Sequence, residues 1–480
     1  MTSAAMHFML FEGLTRLTPN GYTEPGVAKS INLSEDRLTY TFHLRSCLWS
    51  DGTPITAHDF EYTWKSMLDP EFPCFNAHLL YPIKNAHPVK MGEMPIDAIG
   101  IHALDDLTLQ VHLEKPTPYF LELTSFCALH PVQKKTCLEN TRWANGKSYE
   151  LVSNGPFRLR QRIRQERINL ERNPYYWDRD NIHLEEIKIS LIDNPSTVLQ
   201  LFERGEIDLM GASYTDIPED ALFSLETQNA LQSYPIAATS AIAFNLEKGP
   251  LQNSNIRKAL SAAIDRELIA QHVTRLSFSS ALHALHPTLK AYTNPHLIFE
   301  KTPEAYFEQG LEELGLTRKS FPKLKFFYSN RGLNQKVVQA MQQQWAQKLG
   351  INIELETGES KLYFHRLQHK EFDLGLFVMR CQYHDPMAIL ERFKYAENQK
   401  NYPGWSNEEF IQLLDEQYYA PSHQERQTLI QRAETILFEE HPIAPIFHWE
   451  FALIHQPYLK NIYVSPRGSL CFHWARVEKE

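Results

Sequence analysis

The sequence predicts an α/β protein of two or three lobes, on three observations. A chain of 480 residues exceeds what one hydrophobic core serves, since single cores stop growing near ~250–300 residues. Leu324–Tyr328, Asn334–Leu349 and Ile351–Leu355 read as strand, long helix and strand, with Gly350 capping the helix. Such a crossover implies parallel pairing inside an α/β lobe. Short alternating strands and capped helices recur along the rest of the chain, with no internal repeat and no low-complexity segment.

From the N-terminus, residues 13–45 read as short strands and turns, with turn chemistry at Pro19-Asn20-Gly21 and Pro25-Gly26. Thr39–Leu44 alternates polar and apolar residues, as a strand with one buried face does. Ser50-Asp-Gly-Thr-Pro54 is a turn, and Thr56 with Asp59 three residues on forms a capping box. The helix it opens, 57–68, gathers Phe60, Trp64 and Met67 or Leu68 on one face and stops at Asp69-Pro70. Strand alternation returns over 96–113 around Asp105-Asp106, and Pro116-Thr-Pro118 leads into an apolar helix, Tyr119–Phe126.

A second block opens near Pro131. Phe157–Arg164 and Arg167–Arg172 make a hairpin, Ile187–Ile192 a strand, and Ser196–Arg204 a helix ending at Gly205. A third opens near Ala237. Ile256, Ala259, Leu260, Ala263 and Ile264 mark a helix face, Phe372–Met379 is an apolar strand, and Ser422 with Glu425 caps a helix reaching Glu440.

Composition narrows the function. The formal charge of −10 argues against a nucleic-acid partner, which calls for a basic excess. Six arginines crowd 158–172, and Arg158, Arg160, Arg162 and Arg164 alternate at period two, which places them on one solvated strand face. No stretch approaches the ~20 apolar residues needed to cross a bilayer. His283-Ala-Leu-His286 and Cys127-Ala-Leu-His130 have metal-like spacing without local partners, so no metal, and no other cofactor, is assigned. Walker, Rossmann, Gly-x-Ser-x-Gly and His-Glu-x-x-His motifs are absent, so no catalytic residue is assigned and the chain reads as a non-enzyme. Six widely spaced Cys suit buried thiols or one or two disulfides.

The run Phe42–Trp64, around Trp49-Ser-Asp-Gly-Thr-Pro54, also belongs to a collinear set of motifs. They include Leu10-Phe-Glu-Gly-Leu14, Pro25-Gly-Val-Ala28, Ala103-Leu-Asp-Asp106 and Pro116-Thr-Pro-Tyr-Phe120. Ser153-Asn-Gly-Pro-Phe157, Glu171-Arg-Asn-Pro-Tyr-Tyr-Trp177, Gly205-Glu-Ile-Asp208, Ile256–Arg266 and Phe372-Asp-Leu374 follow in order. Over nearly its whole length the chain resembles the periplasmic oligopeptide-binding proteins of ABC transporters.

That resemblance implies a bilobal periplasmic-binding-protein fold with two mixed α/β lobes and an additional inserted domain. Residues 1–11 would be the truncated start of lobe I, 12–133 the inserted domain, 134–237 the middle of lobe I, 238–450 the other lobe, and 451–480 the return to lobe I. It implies a monomeric receptor that closes on a peptide or peptide-like molecule by hinge motion and delivers it to an ABC permease in the inner membrane. A periplasmic location, with an export signal and often a lipid-anchor Cys, comes with it. Met1–Leu10 has no Lys or Arg to open such a signal, so the assigned start is expected to be misplaced.

In such receptors the strand and loop equivalent to 376–383 bind the ligand main chain as an added strand. The resemblance therefore points to Phe377, Val378, Met379, Arg380, Gln382, Tyr383 and Asp385 as ligand-binding residues. Gln382 falls where relatives carry an Asp for the peptide ammonium. Losing a charge-assisted bond there costs about 1.5–3 kcal/mol, roughly ten- to a hundredfold in affinity. Leu376 and Met379 likewise replace an Arg and a Trp, and Arg380 or Asp385 is the candidate substitute. The expected ligand is thus an N-blocked, γ-linked (glutathione) or cell-wall peptide. The alternatives are a metal chelate on the same fold, or a cytoplasmic ligand sensor should no export signal precede the chain.

Overall fold

The Trp49–Pro54 turn is pinned at both ends. Gly52 sits at φ +85°, the Trp49 amide donates to the Thr53 carbonyl at 2.8 Å, and Asp51 accepts from the Thr53 amide at 3.0 Å. Asp59 accepts from the Thr56 amide at 2.9 Å, capping helix Ala57–Leu68, and from the Lys134 amide at 3.0 Å. The computed structural model describes residues 3–18, 21–140, 143–145, 151–274, 276, 278–293, 297–330 and 332–478. Met1 and part of the turn expected at Pro19-Asn20-Gly21 lie outside the described residues.

The chain forms two units, one from 1–232 with 453–480 and the other from 233–452. In the first, an antiparallel sheet runs in the order Ala28–Leu33, Thr39–Leu44, Thr108–His112, Ile101–Asp105. The expected alternation of Thr39–Leu44 is present, with Tyr40, Phe42 and Leu44 buried. Helix Ala57–Leu68 packs on this sheet and buries Phe60, Trp64 and Leu68, each worth about 1.5–3 kcal/mol.

Leu10-Phe-Glu-Gly-Leu14 meets Asn154-Gly155 at very close range. The Asn154 side chain accepts from the Glu12 amide at 3.0 Å and donates to its carbonyl at 2.9 Å. A Cβ on Gly155 would lie 2.6 Å from the Leu10 backbone, so only glycine fits. The buried Glu12 carboxylate accepts from the Tyr176 hydroxyl at 2.7 Å and from the Trp177 indole, with Arg16 at 3.6 Å. Burial raises its pKa against the opposing pull of Arg16.

The arginine hairpin departs from its sequence pattern. Phe157–Ile163 and Arg167–Arg172 pair with Glu186–Ser190, but a bulge between Leu159 and Gln161 absorbs Arg160. Arg158 is therefore opposite Glu171 while Arg162 is opposite Ile168, on the other face. The period-two arginines do not share one face.

In the second unit the strands run Ile443–His455, Gln232–Phe244, Leu374–Arg380, Lys325–Ser329, Glu354–Gly358. Lys325–Ser329 and Glu354–Gly358 are parallel and are joined by helix Asn334–Leu349, capped by Gly350 at φ +68°. Trp345 of that helix is fully buried against Phe326 and donates its indole N–H to the Leu260 carbonyl at 2.8 Å. Leu374, Leu376 and Ile446 join the same core. All six cysteines are free thiols.

Candidate functional site

The Leu374–Arg380 strand has one paired edge and one partly open edge. Against Gln232–Phe244 it is antiparallel, with Arg380 opposite Ala238 and Leu374 opposite Phe244. At the two ends of this ladder the Cys381 amide donates to the Ala237 carbonyl and the Asn245 amide to the Asp373 carbonyl. Main-chain groups alternate sides along an antiparallel strand, so those of residues 375, 377 and 379 bond toward Gln232–Phe244. The N–H and C=O of Leu376, Val378 and Arg380 point to the opposite edge. There Phe326 and Phe327 pair with Leu374 and Gly375, and among the described residues no strand continues beyond Gly375.

Side chains divide the same way. Phe377 and Met379 are buried at 4% and 0% exposure, and the Phe377 ring meets Tyr402 edge-on at 5.4 Å. With their main chains already paired, these two expected contact residues supply support, and their neighbours supply the exposed surface. Val378 is 42% exposed, and Arg380 is exposed with its guanidinium 5.8 Å from the Phe451 ring centroid.

In the following loop Gln382 is half-buried and Tyr383 buried. Asp385 is committed elsewhere: its Oδ1 accepts from Arg426 Nη2 at 2.8 Å and from the Met387 amide at 3.0 Å. Arg426 is held in turn by Gln417 at 2.7 Å and the Tyr292 hydroxyl at 3.2 Å. The structure thus keeps Val378, Arg380 and Gln382 accessible and draws Phe377, Met379, Tyr383 and Asp385 inward.

Arg392 joins the strand edge without having been marked by any motif. It lies in a short helical turn after Pro386, donates Nη2–H to the Arg380 carbonyl and Nε–H to the Ala388 carbonyl at 3.0 Å. Since that carbonyl faces the open edge, the guanidinium closes the edge at its Arg380 end. Burial lowers the pKa of Arg392, and burial followed by the charge of Arg392 pushes Lys400 down to about 8. Among the described residues no group of three or more His, Cys, Asp or Glu is placed to hold a metal ion. His286 packs edge-on against His448 at 5.0 Å, and His130 against Phe8 at 5.7 Å.

Residues 23–401 match the family model described as bacterial extracellular solute-binding proteins, family 5. The chain belongs to this family. Among relatives of this family-5 solute-binding protein, the oligopeptide-binding protein OppA of Bacillus subtilis is 36% identical, covering 96% of this chain and 86% of that one. The dipeptide-binding protein DppE of the same organism is 32% identical, covering 97% and 86%. The murein tripeptide binding protein MppA of Escherichia coli superposes with a TM-score of 0.86 at 28% identity, covering 100% of this chain and 95% of that one. Haemophilus influenzae OppA, in complex with the peptide RPPGFSPFR, superposes at 0.84 and 26% identity, covering 99% and 94%. The solved relatives are bilobal binding proteins of mixed α/β structure, the fold class the sequence predicts.

Proposed function

We propose that this protein is the receptor of an ABC importer for peptides or peptide-like molecules, binding them as an added strand along Leu376–Arg380. One observation carries this reading: past Gly375 the main chains of Val378 and Arg380 face an edge that no strand of the described residues covers, in a chain whose relatives are named for the peptides they bind. An edge of this kind reads only N–H and C=O groups, so it accepts varied side chains. Val378, Arg380 and Gln382 meet the ligand, while Phe377, Met379, Tyr383 and Asp385 hold them in place. The protein acts by binding alone, as a monomer, and hands its ligand to the permease.

We place the inserted domain at 12–133, the middle of lobe I at 134–237, the other lobe at 238–450 and the return at 451–480. Export from the cytoplasm, with a lipid anchor, completes the reading. Gln382 carries no charge for a ligand ammonium, so N-blocked, γ-linked or cell-wall peptides are the favoured class. Calorimetric titration with trialanine and N-acetyl-trialanine tests this. Binding of the acetylated form at least as tight as the free amine is expected. A strong free-amine preference overturns the ligand class, and no binding of any peptide overturns the receptor reading.

A further inference from the structure

Arg380 and Arg392 stand at one end of the open edge, and no carboxylate of the described residues pairs with them. Arg380 projects from the strand over Phe451, and Arg392 lies across the Arg380 carbonyl. Among the described residues neither guanidinium pairs with an acid. Arg392 commits Nε and Nη2 to carbonyls, which leaves the Nη1 donors uncommitted. The acid nearest in sequence, Glu391, accepts from the Tyr418 hydroxyl; Asp385 is neutralised by Arg426, and Gln382 is uncharged. Tyr383, Tyr402 and Cys381 are the other ionisable side chains acting on Arg392 from the adjoining segments, and Lys400 adds a further cation beside it.

Two guanidiniums that share a strand end without a counter-charge raise the local potential and favour an anion there. Arginine also presents paired N–H donors matched to a carboxylate, which a single ammonium does not. An extended chain laid along Leu376–Arg380 would run directly into Arg392 at the Arg380 end.

We propose that this pair selects ligands carrying an anionic group at the end beside Arg380, either an acidic side chain or a terminal carboxylate. The ligand class is therefore acidic peptides and peptide-like chains, and cationic peptides are disfavoured. This inference rests on the open edge being the peptide site.

An equimolar tripeptide library Ala-Xaa-Ala, in free-amine and N-acetylated forms and with free and with amidated C-termini, separates an acidic side chain from a terminal carboxylate. The full-length protein retains its bound fraction by rapid filtration, and mass spectrometry quantifies each member. Glu and Asp members should be retained about tenfold or more over their Gln and Asn counterparts, consistent with one charge-assisted contact. That preference should collapse in R380Q or R392Q and weaken with added salt. Equal retention of acidic and amide members together with no loss on C-terminal amidation, or best retention of Lys members, overturns the anion preference and leaves the peptide reading standing. An acid preference unchanged in both variants overturns the assignment to this pair. Retention of no member at all removes the peptide reading, and the inference with it.

Discussion

Asp385 and Arg426 form an ion pair at 2.8 Å between side chains only 8% and 7% exposed, across 41 positions of sequence. Desolvation makes such a pair weakly stabilising as a unit, while either charge left alone is costly. D385L and R426M should each destabilise the protein by about 3–5 kcal/mol, and the double variant should recover most of that loss. Urea unfolding of the four proteins measures the cycle. Additive losses would mean that the two residues act independently.

Glu12 should be comparably sensitive. Replacing it with Ala strips the Tyr176 hydroxyl and Trp177 indole of their acceptor and leaves Arg16 without one of its partners. A loss of about 3 kcal/mol or more is expected by chemical denaturation, since buried donors would be orphaned. E12Q, which keeps an acceptor oxygen, should lose less.

Two buried histidines predict acid sensitivity. Burial, with His384 adding, pushes the His286 pKa down from 6.5 to about 4. Burial, with His286 and His283 adding, takes His448 from 6.5 to about 3. Below pH 6.5 the unfolded chain binds protons at these rings that the folded chain refuses, so their contribution to stability is full above that pH and is lost as pH falls toward 4 and 3. H448Q should show a shallower fall in Tm between pH 6.5 and 4 than the parent. Identical slopes would remove His448 from the account.

Gly310 lies against the helix Ser254–Ala262. A Cβ there would sit 2.7 Å from Ile256 Cδ1 and 3.0 Å from the Ile256 amide nitrogen. G310A should therefore cost about 1–3 kcal/mol despite alanine's better helix propensity. Thermal melts of G310A alone and with I256V measure it, and partial rescue by the second change is expected.

Val378 offers a direct test of main-chain recognition. Its N–H faces the open edge, so V378P removes a donor that no strand of the described residues uses. Peptide affinity should fall about tenfold or more while Tm changes by only a few degrees. Unchanged affinity would mean that the ligand lies elsewhere.

Local rules made much of the fold legible. Apolar spacing from Val337 to Leu349 and Gly350 marked the crossover helix, and Asp59 marked the start of helix Ala57–Leu68. Both depend on neighbours within one or two turns. The bulge at Arg160 was not legible, because the alternation of arginines continues through it unbroken and only the partner strand sets the register. The same holds for the site. Phe372–Met379 reads as an apolar strand, but its open edge depends on where Lys325–Ser329 ceases to pair. Arg392 gives no spacing signal, since it reaches the edge through a turn after Pro386. Asp385 looked available because its partner is a helix residue far along the chain.

The unpaired edge of Leu376–Arg380 carries a hazard as well as a use. Bare strand edges join readily to one another, and a receptor awaiting its ligand is such an edge held open. Here the exposed run is short, and two like charges crowd its end. A second copy docking edge to edge would bring four guanidiniums together, whereas a small anionic chain would bring none. The two arginines that would draw an anionic ligand would also keep empty copies from adhering edge to edge.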